Sequence, residues 1–474
     1  MQKANVPMRN IALLASLVLV GCSSSSGSPG ASPADAGADV DPATLADAGG
    51  PGPDAGPSIP ASPAGRALTW VLAALNGAAV TPADVTAHFT PSFVQAIGGA
   101  AQLPPLFADL AKQKAWTLVG FDGATADLEL IAVATRGDGE YWRISLHTVA
   151  TGPMDGLLLD LAGDLDPSLA TLPAVEQAMG ALAAKTDLLA ATVDGAACTP
   201  IESMSPNASL AIGSAFKLWV LATVAQSVEA GAHAWTDEIA IEDRYKSLPS
   251  GTLQDQPAGT KLPLLTFADE MISKSDNTAA DHLLFTVGRA AVEAMLTTTG
   301  HHDPTANQPF LSTRELFTLK LMLSPADQQA FAGSTVAAKR TLLDGYDARL
   351  DPRTYAGPAW DAPILPDTLE WFATPGDLCR VMATLKAYAD KPATKDVYDV
   401  LRINPGFTDH GGAFAYIGMK GGSEPGVLDM TFLLQRKRDD KWLFLTLGWN
   451  DPARPIDETK AVYLATAARA IVGR

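Results

Sequence analysis

The sequence predicts two folded units in tandem: a small α+β unit over residues 66–165 and a larger mixed α/β unit over residues 166–474, built from an antiparallel sheet and a helical lobe. Three observations predict this. The chain has 474 residues, too many for one hydrophobic core, and 47% of them are hydrophobic, enough to bury more than one. Helical spacing gives way to strand-like runs before residue 165, as in an α+β unit. Beyond it, strand-like runs near both ends enclose several helices, which suits one sheet made from both ends with a helical lobe inserted.

The elements follow in chain order. Lys3 and Arg9 form a basic start, and Ile11 to Val20 is an apolar run too short to span a bilayer as a helix. Leu19-Val20-Gly21-Cys22 then resembles a bacterial lipobox, which implies a signal peptide over 1–21 and lipidation at Cys22. The expectation is an exported protein, anchored to a bacterial membrane only through its lipid. Residues 22–65 are dominated by Ser, Gly, Pro, Ala and Asp, too polar to offset chain entropy, and read as a disordered tether with a reach of roughly 35–40 Å.

In the small unit, Leu68, Val71, Leu72 and Leu75 recur at helical spacing, and further helices begin near Pro82 and at Leu106. Strands are expected at Trp116–Phe121, Leu128–Thr135 and Tyr141–Ala150, with Gly137-Asp138-Gly139 as the turn between the last two. This order is similar to the cone-shaped domains of the nuclear-transport-factor and steroid-isomerase group. Asp122, Asp138 and His147 would be the groups to line such a cone, although loop carboxylates and a strand histidine are more often solvated or structural.

In the large unit, a strand is expected at Leu188–Val193 and a helix at Ala215–Val228. Helices follow at Leu262–Ile272, Thr278–Gly300 and Thr313–Met322. Strands Leu428–Arg436 and Trp442–Trp449 and a helix Asp457–Val472 close the chain. The net charge of -18 disfavours nucleic acid as a partner. Besides Cys22 there are only Cys198 and Cys379, which either pair in an oxidising compartment or stand as buried free thiols. No zinc spacing, G-x-x-x-x-G-K-[ST], H-E-x-x-H or G-x-S-x-G occurs, so no cofactor or metal is called for; His301-His302 reads as part of a solvated loop.

Three short motifs carry chemistry. In Ser214-Ala215-Phe216-Lys217, three residues make about one helical turn, so the amine and the hydroxyl share a face. Serine is a poor nucleophile without a base, and a desolvated lysine can serve as one. Ser275-Asp276-Asn277 offers a proton relay in Ser275, a turn and cap anchor in Asp276 and an amide ligand in Asn277. Lys420-Gly421-Gly422-Ser423 offers a cation beside glycines that admit a substrate backbone.

In this order the motifs resemble the S-x-x-K, S-D-N and K-T-G set of class A β-lactamases and penicillin-binding proteins. Ser250-Gly251-Thr252-Leu253-Gln254 and Met271 to Ala279 look like that family's lead-in to its second motif. The resemblance implies a serine hydrolase acting on a small-molecule β-lactam or a related ester or amide. It makes Ser214 the acylated nucleophile, Lys217 its base and Ser275 the relay. Asn277 and Lys420 become substrate ligands, with the amides of Ser214 and Ser423 behind Gly422 forming an oxyanion hole.

Two departures stand out. Gly421 lacks the expected hydroxyl, with Ser423 the nearest substitute, and no Glu-x-x-Leu-Asn loop lies between Asn277 and Lys420. Glu315 fits a capping box, which leaves Glu370 as the candidate deacylation base. The long stretch from Asn277 to Gly421 implies an insertion. With the preceding cone-like domain, these departures resemble the clavulanic-acid-cluster serine hydrolase subgroup, associated with cephalosporin-ester cleavage. The alternatives are a D,D-peptidase-like wall enzyme and a β-lactam-binding lipoprotein with negligible turnover.

Overall fold

A computed structural model describes residues 57–113 and 115–474 and the backbone of Ser16–Val20. Cys22 and most of the stretch read as signal peptide and tether lie outside the described residues. The residues form two compact units, one over Ser16–Ala162 and one over Gly163–Arg474.

In the smaller unit, β1 (Ser16–Val20) is followed by four helices: α1 (Pro63–Leu75), α2 (Pro82–His88), α3 (Pro91–Ala96) and α4 (Leu103–Ala111). Each of the first three starts at a proline behind a Ser or Thr cap, where the missing proline N–H costs nothing. Then come β2 (Thr117–Phe121), β3 (Glu129–Thr135), β4 (Tyr141–Thr148) and β5 (Met154–Leu161), giving an antiparallel sheet in the order β1-β5-β4-β3-β2. Leu68 and Val71 on α1 and Ile144 and Leu146 on β4 are buried, so the helical stripe and one sheet face make the core. The α+β expectation holds, with β5 added and with β1 drawn from the apolar run read as signal peptide.

The larger unit opens with α5 (Leu172–Met179), β6 (Lys185–Asp194), β7 (Ala197–Met204) and β8 (Leu210–Ala211), then a 3₁₀ turn at Gly213–Phe216 that runs into α6 (Lys217–Glu229). A small ribbon of β9 (Glu238–Ala240) and β10 (Lys261–Pro263) leads to α7 (Leu264–Ser273). The helix expected over 278–300 is two, α8 (Asn277–Val287) and α9 (Arg289–Thr298). Gly288 between them takes φ +88, which a glycine adopts without strain. The helix expected at 313–322 is α-helical only as α10 (Thr313–Phe317) and widens into a π turn at Thr318–Met322. The extra length is spent partly on α11 (Pro325–Ala332) and α12 (Val336–Asp347), followed by the short β11 (Phe372–Ala373).

After α13 (Pro375–Ala389) and α14 (Asp396–Arg402), the chain returns as β12 (Phe414–Glu424), β13 (Val427–Arg436) and β14 (Trp442–Asn450), and ends in α15 (Glu458–Gly473). The sheet order is β12-β13-β14-β6-β7, wholly antiparallel and drawn from both ends of the unit, as expected. Lys420-Gly421-Gly422-Ser423 lies within edge strand β12. Helix α6 is buried on nearly all sides, from Leu218 through Val224 to Val228, so it forms the centre of the core.

Cys198 on β7 and Cys379 on α13 are joined in a disulfide with Cα atoms 6.3 Å apart, which resolves the alternatives left open by the sequence. The bond closes a long loop that includes α6 and the helical lobe. Replacing both cysteines with alanine is expected to lower unfolding free energy by about 2–4 kcal/mol, read from urea denaturation of the oxidised protein. An unchanged urea midpoint would contradict a stabilising cross-link.

Candidate active site

Ser214 stands in the 3₁₀ turn that opens α6, partly exposed, while Lys217 one turn on is fully buried. Lys217 Nζ lies 3.2 Å from Ser214 Oγ, 3.1 Å from Ser275 Oγ, 2.6 Å from the Ser275 carbonyl and 2.6 Å from Asn277 Oδ1. Two of these neighbours, the carbonyl and the amide oxygen, can only accept. A neutral amine gives each one N–H and keeps its lone pair for a serine hydroxyl. Burial, then repulsion from the Lys420 ammonium, push the Lys217 pKa well below its usual value, against smaller pulls from Asp276 and Asp281.

Ser275 is held in the left-handed region at φ +55, an uncommon conformation for a residue with a side chain. Its carbonyl accepts from Ser250 Oγ at 2.7 Å as well as from Lys217, and the Asp276 amide bonds to the Glu270 carbonyl. Asp276 is the anchor expected of it. One carboxylate oxygen caps α8 through the Ala279 amide, and the other accepts from the Thr252 and Leu253 amides. Gly251, at φ +89, must be glycine: a Cβ there would fall 2.0 Å from the Asp276 carboxylate. Asn277 Nδ2 donates to the Leu248 carbonyl, which fixes the orientation of its oxygen toward Lys217.

Lys420 Nζ reaches Ser275 Oγ at 3.0 Å from the opposite side and also bonds to the Gly421 carbonyl. Ser275 therefore bridges two buried amines. Burial pushes Lys420 down to about 7, with partial relief from Asp429 on the neighbouring strand. Asp429 is itself pushed up to about 7 by burial, although Thr431 and Thr446 donate to it. Gly422 packs against the Ser214 backbone: a Cβ there would lie 2.4 Å from the Ser214 nitrogen and 2.1 Å from the Ile212 carbonyl. A Cβ on Gly213 would lie 3.1 Å from the Ser423 nitrogen. The Ser214 and Ser423 amides thus approach one another across a glycine-lined contact.

Seven expected residues, Ser214, Lys217, Ser275, Asn277, Lys420, Gly422 and Ser423, come together here. Glu370 is differently engaged. It is buried, with one oxygen bound to Lys320 and the other accepting the Trp371 amide at 3.2 Å. Glu315 caps α10 as expected and also pairs with Arg289. In the small unit, Asp122 pairs with Arg143, Asp138 with Arg136 and His147 with Asp155, three separate local pairs.

His301 corrects the solvated-loop expectation. It is buried, its Nε2 bonded to the Phe372 carbonyl and its Nδ1 accepting the Asp303 amide. With His302 and Asp377 it forms a group whose ligand atoms lie within 4.8 Å of one another. Both ring nitrogens of His301 are occupied, and the Asp377 oxygens cap α13 and hold His302, so packing accounts for these groups.

Lys320 and Glu424 gave no signal in the sequence.

Residues 201–409 match the family described as Beta-lactamase enzyme family, and residues 59–152 match the one described as ORF 12 gene product N-terminal. Among solved structures, a β-lactamase from Sphaerobacter thermophilus is 20% identical, over 63% of this chain and 94% of its own, with a TM-score of 0.44. PBP-A is 15% identical over 64% of this chain and 95% of its own, with a TM-score of 0.42. A β-lactamase from Chitinophaga pinensis is 14% identical over 63% and 97%, with a TM-score of 0.41. No curated protein matches the chain. The larger unit has the β-lactamase-like α/β fold, and the α+β unit before it is consistent with the second family match.

The pKa of Asp429 has a consequence for stability. Between pH 3.8 and about 7 the folded protein keeps a proton that the unfolded chain has released, so this group's contribution falls as pH rises through that window. The stability difference between wild type and Asp429→Asn, followed by urea denaturation from about pH 4 to 6.5, is expected to slope against wild type by up to ~1.4 kcal/mol per pH unit. A flat difference would place the Asp429 pKa at its ordinary value.

Proposed function

We propose that this chain is a serine acyl-transfer hydrolase that is acylated at Ser214 by β-lactams or related esters and amides and then hydrolyses the adduct. The observation that carries this reading is the buried Lys217 amine, placed between the Ser214 and Ser275 hydroxyls with its N–H groups directed to carbonyl oxygens.

The steps follow from that placement. Neutral Lys217 takes the Ser214 proton as Oγ attacks the substrate carbonyl carbon, and the carbonyl oxygen gains the negative charge. The amides of Ser214 and Ser423 stabilise that oxyanion. As the tetrahedral centre collapses, the bond to the leaving nitrogen or oxygen breaks. Its proton arrives from Ser275, which is replenished by the amines on either side. Water then cleaves the Ser214 ester and releases an acid. Lys420 holds Ser275 from the other side through its 3.0 Å contact and is also the cation offered to a substrate carboxylate.

A second reading, a β-lactam-binding protein with negligible turnover, has one observation in its favour. Both oxygens of Glu370, the candidate deacylation base, already accept hydrogen bonds, one from Lys320 and one from the Trp371 amide. Export with a lipid anchor at Cys22 is part of the proposal. The lipobox-like start supports it, and the Cys198–Cys379 disulfide suits an oxidising compartment.

Intact-mass spectrometry after incubation with a penicillin and with a 3′-acetoxy cephalosporin tests the reading. Wild type is expected to gain the mass of the acyl group and Ser214→Ala to gain none. A burst followed by steady turnover of a chromogenic cephalosporin would distinguish the hydrolase from the binder, whose adduct persists. Equal labelling of Ser214→Ala would refute the assignment of the nucleophile.

A further inference from the structure

Lys320, Glu370 and Glu424 form a second buried charged cluster that the proposed steps do not use. Lys320 Nζ is bound to both carboxylates; the Lys320 and Glu370 side chains are fully buried and that of Glu424 is 6% exposed. Burial and the neighbouring Glu370 push the Glu424 pKa well above its usual range. Such a cluster is not an economical way to stabilise a fold, since apolar replacements of buried ion triads are often neutral or stabilising.

Its connections indicate another use. Glu424 directly follows Ser423 on β12. Glu370 holds the Trp371 amide at 3.2 Å, and the Trp371 carbonyl accepts the Ile212 amide at 3.0 Å, two residues before Ser214. Trp371 also stacks on Phe216 with ring centroids 3.8 Å apart, and β11 pairs with β8 just beyond it. A continuous path of bonds thus runs from Ser423 through Glu424, Lys320, Glu370, Trp371 and Ile212 to Ser214.

Lys320 sits in the π turn, a feature frequently found at functional sites. Gln328 on α11 donates to the Leu319 and Lys320 carbonyls, and the Trp360 ring lies 5.4 Å from the Lys320 amine.

We propose that Lys320 is a positioning residue of the oxyanion hole, tying the strand that carries Ser423 to the segment that carries Ser214 and so fixing the gap between their amides. The inference rests on Ser214 being the nucleophile. Lys320 itself touches no reacting atom. With the cluster in place, the two N–H donors are set before substrate arrives; without it, β12 and the Ile212–Ser214 segment are still packed but free to drift by fractions of an ångström. Oxyanion stabilisation depends on donor placement at that scale.

The test compares wild type, Lys320→Arg and a charge-free variant combining Lys320→Met, Glu370→Gln and Glu424→Gln. Two probes are used: a chromogenic cephalosporin and an alkyl fluorophosphonate. The second forms an Oγ–P bond, releases fluoride and places its phosphoryl oxygen in the oxyanion hole, whatever the natural substrate. The charge-free variant is expected to fold, which circular dichroism and its melting temperature check before rates are compared. Its saturation constant for the cephalosporin should stay within about threefold, and its maximal acylation and phosphonylation rates should fall roughly 10²–10³-fold. Lys320→Arg should recover part of the loss.

A folded variant whose maximal rates stay within twofold of wild type overturns the inference. If the combined variant does not fold, Glu424→Gln alone is read by the same rates, with at least a tenfold loss expected and no loss overturning the inference. Wild type labelled by the fluorophosphonate but not by the cephalosporin removes the lactam reading and leaves this inference to stand or fall on phosphonylation. Wild type labelled by neither probe removes the nucleophile and the inference together.

Discussion

A lysine amine kept out of water sets the terms for the rest of the larger unit. Lys217 is fully buried, yet it faces four oxygen atoms, from Ser214, Asn277 and twice from Ser275. A charged ammonium there would bear a large desolvation cost beside the cation of Lys420, while a neutral amine satisfies two acceptors and has a lone pair to spare. The constraint is reciprocal. The amine must remain dry to be a base, and the surrounding segments must be fixed for it to remain dry and still hydrogen-bonded.

Much of the local architecture follows from that need. The 3₁₀ turn leading into α6 brings Ser214 to within one turn of Lys217. Asp276 locks the segment before α8 with three backbone amides, which holds Ser275 in a left-handed conformation and its carbonyl on the lysine. On the third side, β12 supplies Lys420 and approaches Ser214 only because Gly422 has no side chain. Three segments far apart in the chain therefore converge on one amine. The sheet and the buried helix α6 give them a rigid frame, and the disulfide from β7 to α13 adds a covalent tie within it.

How much of this the sequence discloses depends on the distance between the interacting residues. Ser214 and Lys217 are one turn apart, and Ser275 to Asn277 are contiguous, so each motif can be read locally. Three of the five strands of the sheet, β6, β13 and β14, were legible because they run apolar over several residues, whereas β7 and β12 carry no such run. Other features left no local trace. Lys320 bonds to Glu370 and Glu424 across 50 and 104 residues, with no spacing rule to join them. Glu370, read as the candidate deacylation base, is bonded to Lys320 and the Trp371 amide, and the first of these partners lies 50 residues away. His301 sits in a polar sequence but is covered by packing against Trp219 and the Phe372 carbonyl. The break at Gly288 and the π turn at 318–322 interrupt helices whose apolar spacing runs on without a gap.

Burial and the Lys420 amine lower the Lys217 pKa, and loss of its proton is what would free a lone pair for Ser214. Selective labelling of lysine side chains with ¹³C at the ε carbon, with Lys217 assigned from the resonance lost in Lys217→Arg, reads its protonation directly by NMR. The expected result is a titration midpoint well below the ordinary 10.5. A resonance that stays that of an ammonium up to about pH 10 would contradict it, because Ser214 would then have no base beside it.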